Sequence, residues 1–171
     1  MLVKAAFSLG TCSPRSSAAD TVDMKASAKA GSAGTSVLLC PSAQPTMPSA
    51  VAIGVIDRDG TEPEVAYLDQ PLPVNDELVA MAEPVTPTEV FRFAAPCQTA
   101  ACSHWSGQDC KLVDRIVDII PPASLLLPTC RIRPKCRWFS QAGRAACMRC
   151  PHIITQNEWP SEEMRKAAMP R

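Results

Sequence analysis

Seven of the chain's nine cysteines fall between Cys97 and Cys150, with the spacing C-x4-C-x7-C-x19-C-x5-C-x10-C-x2-C. They are Cys97, Cys102, Cys110, Cys130, Cys136, Cys147 and Cys150. Both histidines, His104 and His152, lie inside or beside the same stretch. Thiolate and imidazole are soft to borderline ligands that suit zinc, copper and iron–sulfur clusters. Nine such groups within 56 residues exceed what packing asks for and point to metal chemistry.

Proximity along the chain suggests two groups. Cys130, Cys136, Cys147 and Cys150 surround one centre; Cys97, Cys102 and Cys110 form another, completed by His104 or by a small molecule. An interleaved set that takes in Cys110, and a single centre with three spectator thiols, stay open as alternatives. The segment from Cys130 to Pro151 carries six basic residues and no acidic one. Thiolates around a metal leave net negative charge, and nearby cations offset the cost of burying it. A proline directly after the last cysteine, as in Cys150-Pro151, recurs in iron–sulfur ligation. Spacing therefore favours an iron–sulfur cluster, of 4Fe-4S type, whose ligands surround a large object and tolerate irregular intervals. Zinc is the alternative, but structural zinc prefers paired short knuckles, and only Cys147/Cys150 is one. Disulfides would leave one of the seven unpaired or draw on Cys12 and Cys40, and merely buried thiols complete the possibilities.

The stretch Cys136-Arg-Trp-Phe…Ala-Cys147-Met-Arg-Cys150-Pro151 resembles the WhiB-like iron–sulfur regulators, which also set a distant cysteine before C-x2-C-P. The likeness covers about 16 residues. The family's fourth cysteine and its glycine–tryptophan turn are absent from Pro151-His-Ile-Ile-Thr-Gln-Asn-Glu-Trp159. The resemblance implies a cluster-binding pattern and transfers no function. Trp138-Phe139 and the flanking arginines read as a shield and counter-charge for the centre. A nucleic-acid surface, with the aromatics as stacking platforms, is the less favoured reading. His104 and His152 serve equally well as hydrogen-bond donors behind the ligands.

Several elements must position these side chains. Leu112, Ile116, Ile119 and Ile120, widened by Val113 and Val117, predict an amphipathic core helix. Asp109 is its expected N-cap, Pro121-Pro122 its stop, and Lys111, Asp114, Arg115 and Asp118 its polar face. Its dipole is expected to lower the pKa of Cys110. Upstream, Val51–Asp57 and Glu64–Leu68 flank a polar Asp-Gly connector, the pattern of a β-hairpin. A short helix from Asp76 to about Ala82 follows, capped by Asn75. Thr86-Pro87-Thr88-Glu89 has the form of a capping box, whereas Phe91 and Phe93 alternate as in a strand, the preferred reading. Ser161–Ala168 is expected to be a capped surface helix.

The chain has 171 residues, and its 17 prolines are about twice the usual share. That density excludes a long-helix bundle and leaves no room for a Rossmann or barrel series. The fold expected is α+β: a hairpin-containing scaffold plus a cysteine-rich, loop-dominated half with one amphipathic helix. Residues 1–50 read as an Ala/Ser-rich disordered tail, with Met47 as a candidate biological start. Residues 51–96 form an acidic segment, 97–160 the cysteine-rich module, and 161–171 a C-terminal helix and tail. Net charge is zero overall but +2, −7 and +5 over 1–50, 51–96 and 97–171. Such asymmetry suggests halves that attract each other, or a basic module that meets a negative partner.

No apolar run reaches membrane length, and the start, Met1 to Cys12, falls short of a secretory signal. A cytoplasmic location follows as the expectation, where clustered cysteines are more often ligands than disulfides. The acidic half offers no nucleophile–base pair. The function expected is a small iron–sulfur protein that carries electrons for a protein redox partner. The alternative is a zinc-stabilised binding module whose basic face meets nucleic acid or an acidic protein. A metal-dependent enzyme, with Cys97, Cys102 and Cys110 leaving one position open, is the third and weakest.

Overall fold

The computed structural model describes residues 37–60, 62–157 and 159–169. Residues 1–36, most of the expected tail and Cys12 with it, lie outside the described residues. The rest forms a mixed α+β fold around a four-stranded antiparallel sheet. Its strands are β1 (Leu39–Cys40), β2 (Val51–Asp57), β3 (Glu64–Pro73) and β4 (Phe91–Pro96), in the order β1-β4-β2-β3. The expected hairpin is β2–β3, paired from Asp57↔Glu64 to Val51↔Pro73.

Two differences concern the N-terminal edge. Residues 37–50 are not tail: β1 pairs with β4, and Cys40, Ala43, Met47 and Ala50 are buried. The short apolar run Val37-Leu38-Leu39 gives this segment enough to bury once a sheet edge receives it. A start at Met47 would remove β1 and Cys40 altogether.

Among the described residues the helices are α1 (Asp76–Ala80), α2 (Pro87–Val90), α3 (Lys111–Ile119), α4 (Arg137–Cys147) and α5 (Glu162–Ala168). Asn75 caps α1, its Oδ1 accepting from the Leu78 amide at 2.8 Å. The capping box and the strand alternation around Thr86–Phe93 are both real, because α2 runs directly into β4. Helix α4 was not expected. Cys136 stands at its N-cap, and Gly143, at φ 57° and ψ −137°, breaks it one turn before Cys147.

Strand β4 is buried on both faces. Phe91, Phe93 and Ala95 pack with Ala43, Ala52 and Leu78 on one side. Ala94 faces the other, where α3, Trp138, Ala146 and Ile153 form the larger core. Helix α5 docks Ala167 into that core, so it is only half a surface helix. Opposite Arg92 of β4, the sheet carries Gly54, beside an irregularity in β2. A Cβ at Gly54 would lie 2.5 Å from Val65 Cγ1 and 2.8 Å from the Ala66 carbonyl oxygen. Gly54→Ala should therefore lower stability by about 1–3 kcal/mol in urea denaturation. Gly60→Ala, whose nearest contact is an ordinary 3.5 Å, should leave the midpoint in place.

Candidate functional site

Cys130, Cys136, Cys147 and Cys150 come together around one pocket, together with Tyr67, Arg133 and Trp138. Local hydrogen bonding explains how a loop-rich segment achieves this. A 3-10 turn (Arg133–Lys135) links Cys130 to Cys136, its ends tied by Arg133 N to Cys130 O and Cys136 N to Arg133 O, 3.1 Å. Cys136 then opens α4, Cys147 closes it, and Cys150 begins a further 3-10 turn (Cys150–His152). The side chains leave a small, partly open gap between them. As the side chains stand, its free room of about 20 Å³ admits roughly one water. All four cysteines are unbridged.

The surroundings are cationic. Arg92 is fully buried; its Nη2 points at Cys150 Sγ from 3.9 Å, and its guanidinium lies 5.6 Å from the Trp138 ring. It donates to the Ile153 carbonyl and, at 3.5 Å, to Thr155 Oγ1. No carboxylate among the described residues pairs with it. Arg133 also lines the pocket, and its charge acts on Cys147. Buried donors without partners lie here too: Nε of Arg92 and Arg133, and Nε1 of Trp138.

Burial is the main influence on the thiols. It pushes Cys136 up to about 12, although the Trp138 and Phe139 amides at the start of α4 pull the other way. Cys130 and Cys147 are raised by burial and by the neighbouring Cys150, with Arg133 opposing. Tyr67, which lines the same pocket, is raised by burial first and by Cys150 next.

The other expected group is rearranged. Cys40 and Cys102 are buried together, with Cys97 and Trp105 packed against them. Cys110, the N-cap of α3 in place of Asp109, is close enough to feel both Cys40 and Cys102. Its pKa is not lowered but raised to about 11, because burial outweighs the Leu112 and Val113 amides, which face the sulfur from beyond regular capping reach. His104 is buried as well. Its Nδ1 meets Arg115 Nη2 at 3.0 Å, and it lines a separate pocket with Lys111, Asp114 and Asp118. Arg115 likewise leaves the polar face expected of it and donates to the Ala167 carbonyl at 2.7 Å. His152 pairs with Glu62 at 3.6 Å and lines a different cleft from the four cysteines.

The residue missed from sequence is Cys40. Its signal was the dipeptide Cys40-Pro41, a twin of Cys150-Pro151, with both prolines fully buried. Among the described residues, no three His, Cys, Asp or Glu side chains are gathered so as to hold a single metal ion. No family model, curated protein or solved structure matches the chain, so the short likeness to WhiB-like regulators stands without a family match.

The raised thiols make metal-free protein sensitive to alkali. A thiol whose folded pKa exceeds its unfolded value keeps its full stabilisation below the unfolded pKa and loses it as pH rises through the folded one. For Cys136 that window runs from 9.0 to about 12. The urea midpoint of metal-free protein should fall steadily across it, and Cys136→Ala should flatten the slope. An unchanged midpoint over the same range contradicts the assignment.

Proposed function

We propose that the chain is a small iron–sulfur protein, with a 4Fe-4S cluster held by Cys130, Cys136, Cys147 and Cys150. It would serve as a one-electron carrier or redox accessory for a partner protein. The observation that carries this reading is the pairing of four convergent thiols with a buried guanidinium that has no carboxylate. An uncompensated buried cation is costly, and a thiolate-ligated cluster supplies the negative charge that offsets it. Structural zinc favours paired short knuckles, whereas of these four, which line one gap, only Cys147/Cys150 is such a pair. Seating a cluster asks the sulfurs and Arg133 to draw back from that gap, whose open side leaves a route for electron exchange.

A cluster held by Cys130, Cys136, Cys147 and Cys150 would supply one-electron redox chemistry. The chain's own residues set how readily this happens. Arg92 and Arg133 favour the more negative, reduced state, while Trp138 and Ile53 limit access of water to the sulfurs. Against a nucleic-acid surface, Trp138 is buried and cannot stack on bases. Several of the arginines are committed to carbonyls instead: Arg131 to Asp69, Arg144 to Leu125, and Arg149 to Ile120.

Protein purified without oxygen should be brown, contain iron and acid-labile sulfide, and bleach with dithionite. A colourless protein with stoichiometric zinc would contradict the reading. Arg92→Met should shift the reduction potential to more negative values in a potentiometric titration, because a cation beside the reduced cluster is lost. An unmoved potential would separate Arg92 from the centre.

A further inference from the structure

A cleft separate from the cysteine pocket lies where the β2–β3 connector, the end of α3 and the start of α5 meet. Its free room of about 380 Å³ falls within the roughly 300–1,000 Å³ usual for ligand sites. Trp159 lines it and is 86% exposed, the most exposed large apolar side chain among the described residues. Local bonds fix the backbone that carries this indole. Asn157, itself buried, accepts from the Trp159 amide through Oδ1 at 3.0 Å and donates from Nδ2 to Met164 Sδ at 3.9 Å. Pro160, next in the chain, disfavours helical backbone at Trp159. Ser161 then caps α5, its Oγ accepting from the Met164 amide at 3.2 Å.

The charge of the cleft is one-sided. Glu62 and Glu163 line it, and no lysine or arginine does. Glu62 Oε2 lies 3.6 Å from His152 Nδ1. Glu163 makes no ion pair among the described residues, since Lys166 pairs with Glu162. Glu62 also belongs to the segment 51–96, whose nine acidic and two basic residues attract cations from a distance. Two carboxylates alone would be a solvated surface. An exposed indole in the same cleft, over an apolar lining of Pro63, Ile120 and Pro121, is what such a surface does not explain.

We propose that this cleft receives an arginine or lysine side chain from a basic segment of a partner protein. The indole face attracts a cation through its quadrupole, and Glu62 and Glu163 supply the opposite charge. Pro63, Ile120 and Pro121 cover the methylene stem, which long cationic side chains lay along apolar surface. Arginine fits best, because its planar guanidinium both stacks on aromatic rings and pairs with carboxylates. A free small cation would use the charge and the indole but leave the apolar lining bare, so the lining decides for a side chain. The site is independent of the cysteine chemistry and needs no metal.

The test uses the full chain and three probes: a capped glycine peptide with a central arginine, the same peptide with uncharged citrulline in its place, and methylguanidinium. Binding is followed by nuclear magnetic resonance at the Trp159 indole N–H, assigned by Trp159→Phe. The arginine peptide should shift this signal saturably and leave those of Trp105 and Trp138 in place. Glu62→Gln combined with Glu163→Gln should weaken binding by about tenfold, an exposed charge pair contributing up to about fivefold. Trp159→Ala, read through the Met164 methyl signal, should abolish it. An unmoved signal from the buried Trp138 in each variant shows that the core is intact. No saturable shift at Trp159, a citrulline peptide that binds as well as the arginine one, or unchanged affinity in the glutamine variant overturns the proposal. Methylguanidinium that binds as tightly as the arginine peptide overturns the partner side chain in favour of a free cation.

Discussion

The structure turns on one buried charge. Arg92 sits in the middle of β4, fully enclosed, where a guanidinium must find partners or destabilise the fold. Gly54 across the sheet keeps its own neighbours close, and the Arg92 side chain crosses from the sheet into the cysteine-rich half. There it meets the Ile153 carbonyl, Thr155, the Trp138 face and Cys150. A single residue thus ties scaffold to site and gives the site its sign. The ionised sulfurs of the proposed centre would balance it.

The junction between the acidic and basic segments is made mostly without ion pairs. His152 and Glu62 form the pair that spans it, at 3.6 Å and with Glu62 exposed, a geometry that contributes little. Arginines donate to backbone carbonyls instead, as Arg131 does to Asp69 at 2.8 Å. Such bonds are directional and satisfy carbonyls of loops that have no ladder. They explain why a proline-rich, loop-heavy half holds a defined shape. The basic excess between Cys130 and Pro151 therefore has an internal use.

Much of the fold was legible because its signals are local. The β2–β3 hairpin, the Asn75 cap, the α3 stripe and the Ser161 cap each follow from a few adjacent residues. The helix–strand conflict at Thr86–Phe93 dissolved because both signals were correct for consecutive residues. The convergence of Cys130, Cys136, Cys147 and Cys150 was legible from proximity. What escaped was long-range. Cys40 joins partners at least 57 positions away through sheet pairing, which no spacing rule reports. Arg115 left its expected polar face because α5, a later element in the chain, covers it. The pKa of Cys110 was misjudged because a helix terminus was weighed without the burial around it.

The most direct measurement is an anomalous difference map at the iron absorption edge, from crystals of anaerobically reconstituted protein. The account places a multi-iron peak among the sulfurs of Cys130, Cys136, Cys147 and Cys150, on the Arg92 side of Trp138. Density that is absent there, or that belongs to a lone zinc ion bound elsewhere, would contradict it.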